Sequence, residues 1–373
     1  MRRGSWQRAG AVARAFVRGV GVALLVTACG GGGSGGAGPV GGTPSPDPDP
    51  TPAPSCVALD LVGPPFGPPS PTPCAGGCAC TSLGLVPLDD LGAGTYLGRT
   101  GGLYCGGSNV RPPAHDAAGL AIAAAVGPRD AAGVPSAAGK YVFVSLGMSN
   151  TTQEFAAFLP LAAAEPGRDP HLVLVDGAQG GQAADAWSDP ANAVWTTLDT
   201  RLAAAGVTGA QVAVAWLKLA VKSPTGAFPA DADALATALA QTLRAAKARY
   251  PNLALAYLSS RIYAGYATTG LNPEPYAYQS GFAVKKVVLD QITGDAGLVY
   301  DATQGTVVAP WIAWGPYLWA DGTTPRGDGL TWACSDLAAD GTHPSAAGQA
   351  KVAQRLLDFV RTDATAATWF YGP

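Results

Sequence analysis

Four short, almost unbroken apolar runs constrain this chain more than any other feature. They lie at residues 141–146, 172–175, 212–217 and 253–258. Their length suits strands, and they lack the polar–apolar alternation of a strand with one wet face, so they predict strands buried on both faces. Helix-like stretches separate them at 152–164, 191–205, 231–250, 282–292 and 346–362. The second follows Asp189-Pro190, with Pro190 suited to the first turn, and stops at Gly206; Ser345 can cap the last. Strands alternating with helices predict βαβ units, right-handed crossovers and a parallel sheet, hence the α/β class. A site in such a sheet lies at the carboxyl ends of its strands, where Gly147-Met148-Ser149 and Asp176-Gly177 fall.

The N-terminus reads as an export signal. Arg2, Arg3, Arg8, Arg14 and Arg18 form a basic start, and residues 20–28 are apolar. That run is too short to span a bilayer. It ends at Val26-Thr27-Ala28-Cys29-Gly30, which resembles a bacterial lipobox whose cysteine is lipidated; the plainer reading is an ordinary signal peptide with a chance cysteine. Lipidation at Cys29 implies an envelope protein anchored by lipid alone. Without an aspartate at position 30, a Gram-negative host would place it at the outer membrane. Residues 30–73, rich in Gly, Pro, Ser and Thr, read as an extended tether. The expected organisation is a signal peptide over 1–28, a cysteine-bearing disordered tether over 29–81 and one folded domain over 82–373.

The net charge of −3 and the absence of a basic stripe exclude nucleic acid as an expected partner. Of seven cysteines, six remain once Cys29 is set aside, an even number that favours disulfides in an exported chain. The sequence does not choose among the pairings. Cys74, Cys78 and Cys80 offer thiolates to a metal as the alternative, but no histidine lies near them. A disulfide at Cys334 would brace the loop that follows it.

Ser149 ends the 141–146 run, and His343 stands in Asp340-Gly341-Thr342-His343-Pro344, just before the last helix. A serine at a strand end can present its hydroxyl to a cleft. An aspartate three residues before a histidine can orient the imidazole toward it, the arrangement of a serine nucleophile with its base. Each residue also has a plainer role: Ser149 as a helix cap, His343 as a solvated or capping residue, Asp340 as the first residue of a turn.

Taken together, Gly147-Met148-Ser149-Asn150, the 177–182 loop, Trp216-Leu217-Lys218 and the late Asp340-x-x-His343 resemble the SGNH, or GDSL-type, hydrolase superfamily over about residues 140–360. The nearest branch is that of the carbohydrate esterases and sialate O-acetylesterases. The resemblance implies a three-layer α/β/α sandwich with a central parallel sheet, flavodoxin-like. It implies a triad of Ser149, Asp340 and His343, with an oxyanion hole of Ser149, Gly180 or Gly181, and Lys218. It implies an esterase acting without metal or organic cofactor on an O-acylated carbohydrate, O-acetylated in the nearest branch, through an acyl-enzyme. Met148 replaces the usual Asp or Gln, and Lys218 stands where a neutral Asn or Gln donor is expected. Two rivals follow: a lipase- or thioesterase-like hydrolase, and a surface lipoprotein that binds carbohydrate without turnover.

Asn150, Gln182, Arg261 and Trp314 are candidate substrate contacts, and Glu274 another. Trp311, Trp314, Tyr317, Trp319 and Trp332 crowd one stretch, where they either fill the core or form a platform for sugar rings. His115 reads as a polar loop residue or the edge of a site.

Overall fold

The computed structural model describes residues 76–372. The expected signal peptide, the lipidation site Cys29 and all of the tether before residue 76 lie outside them. Small elements come first: α1 (Leu88–Leu91), the hairpin β1 (Thr95–Tyr96) and β2 (Arg99–Thr100), and α2 (Pro113–Ala124). The alternating body follows as β3 (Tyr141–Gly147), α3 (Ser149–Ala163), β4 (Leu172–Asp176), α4 (Ala184–Ser188), α5 (Ala193–Ala204), β5 (Val212–Lys218), α6 (Ala230–Arg249), β6 (Leu255–Leu258), α7 (Tyr276–Ile292), β7 (Trp311–Trp314), α8 (Ala346–Thr362) and α9 (Ala364–Tyr371).

The five long strands form one sheet in the order β4-β3-β5-β6-β7, and every pairing is parallel. All seven residues of β3 and of β5 are buried, which is why those runs carry no polar alternation. Helices cover both faces: α3 packs on α8, and α9 on α2 and α8, while α6 packs on α4 and α7. The result is a three-layer α/β/α sandwich. Strand β3 has the next strand in sequence, β4, on one side and β5 on the other. The chain therefore reverses direction across the sheet at β3, and a crevice opens at its carboxyl end. Ser149 stands there.

The expected elements are present with shifted ends. Helix α5 starts at Ala193 rather than near Pro190, because the Asn192 side chain accepts from Val194 N and Asn192 N bonds Asp189 O in a turn. Helix α7 starts six residues before the expected 282, at Tyr276. Its early residues are held by packing: a Cβ at Gly281 would lie 3.1 Å from Leu88 Cδ2. Helix α8 keeps its expected bounds, with Ser345 Oγ accepting from Gly348 N. Helix α2 and strand β7 had no clear pattern in the sequence.

The tether boundary expected at residue 82 is corrected. Cys78 is disulfide-bonded to Cys334, Cys80 is buried, and Gly77 N donates to Tyr266 O at 2.9 Å. The folded body thus already includes residues 77–81. Cys80 and Cys105 are disulfide-bonded as well, so Cys78 and Cys80 are not the free thiolates that a metal would need.

The aromatic stretch is core. Trp311, Trp319 and Trp332 are fully buried, and Trp314 and Tyr317 nearly so. Each indole N–H is used internally: Trp311 on His115 O, Trp314 on Leu103 O, Trp319 on Glu274 Oε1 and Trp332 on Leu318 O. A sugar platform would need these faces exposed. His115 is likewise structural. It lies on α2, stacks on Trp311, and its Nε2 donates to Ile312 O at 2.8 Å.

Candidate active site

Gly147 ends β3 in a space only glycine fits, since a Cβ would lie 2.3 Å from Thr151 Oγ1 and 2.5 Å from Lys218 O. Its carbonyl accepts from Gln179 N and Trp187 Nε1. The turn into α3 is thereby fixed. Ser149 opens that helix, and its hydroxyl caps nothing: Oγ lies 2.8 Å from His343 Nε2. The expected alternative of a capping serine does not hold.

His343 Nδ1 lies 2.5 Å from Asp340 Oδ2, while Asp340 Oδ1 accepts from Thr342 N and His343 N at 3.0 Å each. The carboxylate takes the Nδ1–H, which leaves Nε2 to accept from the serine hydroxyl. Partial burial pushes the Asp340 pKa up, but the hydrogen bonds from the His343 ring and from the two backbone N–H groups outweigh it and hold the carboxyl below its ordinary value.

The loop carrying these residues is pinned. Thr268 N donates to Asp340 O at 3.0 Å. Gly341, at φ +65°, sits so close to Tyr266 O that a Cβ would lie 2.0 Å away. The Cys78–Cys334 bond anchors the chain just upstream, a bracing that the position of Cys334 anticipated and whose partner it did not reveal.

Beside Ser149 lies a cavity of about 210 Å³. Its lining includes Met148, Ser149, Asn150, Gly181, Ala183, Val221, Lys222, Arg261, Leu271, Asn272, Thr342 and His343. Gly181, at φ +77°, lines the cavity, whereas Gly180 does not. Among the described residues the Gly181 N–H has no hydrogen-bond partner, while the N–H of Gly177 is used on Ser145 Oγ. The Ser149 N–H is one of the unbonded donors at the start of α3. Ser149 and Gly181 thus both line the cavity and carry backbone N–H groups without a hydrogen-bond partner among the described residues.

Lys218 is corrected. Its Nζ contacts both Glu154 oxygens at 2.5 Å, and the two side chains are fully buried, away from the cavity. Burial lowers the Lys218 pKa to about 8 and raises that of Glu154, with their mutual attraction opposing both shifts. An ion pair occupies the place where an oxyanion donor was expected.

The expected substrate contacts divide. Asn150 and Arg261 line the cavity, and the Asn150 Nδ2 donates to Thr342 O at 3.0 Å. Gln182 is half-buried and outside the lining. Trp314 is displaced altogether: it lines a separate depression with Arg111 and Asp363. Glu274 is half-buried and outside the lining, accepting from Ala264 N, Tyr278 N and Trp319 Nε1, and loss of solvent around its carboxylate pushes its pKa up to about 7. Sequence reasoning missed Asn272, whose φ of +45° places it in a region that asparagine tolerates and most residues avoid. The Asn272-Pro273 pair was the available turn signal. Among the described residues no group of three or more His, Cys, Asp or Glu side chains is placed to hold a metal ion.

No family model and no curated protein matches this chain. Among solved structures it is similar to the periplasmic domain of a Salmonella ser. Paratyphi A lipopolysaccharide acetyltransferase (TM-score 0.33, 13% identity, 59% of this chain and 83% of that one). It is also similar to a gut microbial diltiazem-metabolizing enzyme (0.33, 12%, 61% and 48%) and to an extracellular lipase of Streptomyces rimosus (0.31, 13%, 58% and 98%). Likenesses of that size establish neither family nor activity, so the functional reading rests on the side chains described above.

Proposed function

We propose that this protein is a serine esterase of the SGNH type that cleaves short acyl esters through an acyl-enzyme. The observation that carries the reading is the hydrogen-bonded line Ser149–His343–Asp340, at 2.8 and 2.5 Å, opening on a cavity of about 210 Å³. As Ser149 Oγ bonds to the ester carbonyl carbon, its proton passes to His343 Nε2. The carbonyl oxygen becomes an oxyanion held by the Ser149 and Gly181 N–H groups. When the carbon–oxygen ester bond breaks, the alcohol leaves with the proton from His343. Water then attacks the acyl-enzyme with His343 again as base, releasing the acid and restoring Ser149.

The small cavity, walled by Met148, Ala183, Val221 and Leu271, suits an acetyl-sized group over a long chain, against the lipase-like rival. A carbohydrate alcohol is supported by the motif resemblance alone, since the aromatic stretch is core. Lipid anchoring at Cys29 and an envelope location belong to the same proposal. The rival of a binding protein without turnover draws support from Lys218, whose withdrawal leaves the oxyanion with two backbone donors.

The test is hydrolysis of 4-nitrophenyl acetate and of acetylated xylan by the chain with its disulfides intact, beside Ser149→Ala and His343→Ala. Activity that both substitutions abolish while the fold is kept supports the esterase. A folded wild type inert on both esters, yet retained by the polysaccharide, favours the binding protein.

A further inference from the structure

The cavity beside Ser149 is cationic, although the chain as a whole carries a net charge of −3. Its lining holds Arg261 and Lys222 and no carboxylate. Lys222 is exposed and, among the described residues, in no ion pair. Arg261 is 1% exposed, and its side chain makes one long hydrogen bond, from Nη2 to Thr342 O at 3.5 Å, while the buried Nε has no partner. A guanidinium brings five donors and stays charged, so burying it with so few acceptors is unfavourable. The neighbouring carboxylates are engaged elsewhere. Glu154 gives both oxygens to Lys218, Glu274 gives its oxygens to two backbone N–H groups and Trp319, and Asp340 is engaged by His343 and Thr342. Two more buried polar atoms of the same lining lack partners, Asn272 Oδ1 and Thr342 Oγ1.

Arg261 is also close to the reacting groups. Thr342 O, which accepts its Nη2, accepts Asn150 Nδ2 as well; Thr342 adjoins His343, and Asn150 adjoins Ser149. We infer that Arg261, with Lys222 at the rim, receives a carboxylate of the substrate. The preferred ester then bears a negative charge on its acid or alcohol part, a few covalent bonds from the carbonyl that Ser149 attacks. A planar guanidinium suits a carboxylate in two-point contact, and Asn272 Oδ1 suits a hydroxyl of the same substrate. This inference rests on the esterase reading for its activity measurements and stands apart from it in its binding measurement.

The experiment uses two matched pairs of esters on the wild-type chain. Mono-4-nitrophenyl adipate against its methyl ester places the charge on the acyl side; 3-acetoxybenzoate against its methyl ester places it on the alcohol side. The charged member of at least one pair should be favoured about tenfold or more in kcat/KM, the size of one hydrogen bond to a charged group. The preferred pair identifies the side, and the preference should shrink with salt. Arg261→Gln should collapse the ratio, and Arg261→Lys should restore part of it. Equal rates, or a preference for the neutral ester in both pairs, overturns the inference whether or not the variants fold. Calorimetry of benzoate and adipate with Ser149→Ala needs no turnover. Binding there that Arg261→Gln abolishes, where the wild type cleaves no ester, keeps the subsite and removes the esterase reading. Hydrolysis without charge preference and without carboxylate binding does the reverse.

Discussion

Asn150 Nδ2 donates to Thr342 O at 3.0 Å and so ties the residue after the candidate nucleophile to the residue before the candidate base. The two segments are far apart in sequence, and Asn150 is buried, so this bond sets how the helix carrying Ser149 meets the loop carrying His343. Asn150→Ala should lower kcat about 10- to 100-fold by loosening the Ser149–His343 alignment, with a smaller change in KM. It should cost about 1–3 kcal/mol of stability by leaving the Thr342 carbonyl without that partner. Steady-state kinetics and denaturant unfolding of the same variant check both parts; a loss of stability with kcat intact would make the bond structural only.

Asp340 accepts three hydrogen bonds, from the His343 ring, His343 N and Thr342 N. Asp340→Asn preserves the side-chain shape but cannot accept the Nδ1–H in the same way, so the imidazole changes tautomer and Nε2 no longer accepts from Ser149. The expected loss in kcat is about 10³- to 10⁴-fold, as for triad carboxylates in general. The 4-nitrophenyl acetate assay measures it, and a loss below about tenfold would mean that Asp340 only shapes the turn.

Much of this was readable in the chain itself. The strands were legible because burial on both faces strips them of polar residues, and the meeting of Ser149, His343 and Asp340 was foreshadowed by a serine at a strand end and an aspartate three residues before a histidine. What failed to show depends on packing. Strand β7 is two tryptophans around Ile312 and Ala313, a pattern that fits core and ligand platform alike; only the use of their N–H groups inside the core decides between the two. Lys218 sits at the strand end where a donor belongs, but nothing local reveals that Glu154, on another element, takes its ammonium. Asn272 reaches the cavity through a loop whose course no periodicity encodes.

The Lys218–Glu154 pair makes a stability prediction of its own. Lys218→Met removes the cation and leaves a buried carboxylate without its closest partner, which should destabilise by about 3–5 kcal/mol. Lys218→Met combined with Glu154→Leu leaves no stranded charge and should cost clearly less than the two single changes added together. Urea unfolding of the four proteins closes the cycle. Additive losses would mean that the two groups do not depend on each other.

The Cys78–Cys334 bond closes a span of 256 residues. Its removal as Cys78→Ser with Cys334→Ser should destabilise by on the order of 5 kcal/mol in the chain-entropy description. Because Cys334 lies just before the His343 loop, activity should fall at temperatures where the far-UV signal of the sheet and helices is still intact. Thermal inactivation and circular dichroism followed side by side test this; coincident midpoints would show that the bond acts on the whole fold and not on the loop.

His115 gives a pH dependence with a definite sign. Burial, with a smaller push from Arg111, lowers its pKa from 6.5 to about 4, and its Nε2–H donates to Ile312 O in the neutral form. Above pH 6.5 the ring is neutral in both states, and its contribution to stability is fully present. Between 6.5 and about 4 the unfolded chain takes up a proton that the folded chain refuses, so stability falls as pH falls, by up to about 1.4 kcal/mol per pH unit. Asp89 and Glu274, with pKa values raised to about 6 and about 7, bend the total curve the other way over part of that range. The comparison with His115→Gln isolates the histidine, since glutamine can keep the bond to Ile312 O and does not titrate. Relative to wild type, the variant should gain about 1–3 kcal/mol on going from pH 7.5 to pH 4.5, read from urea unfolding at the two values. A constant difference between the two proteins would mean that His115 takes its proton inside the fold as readily as outside it.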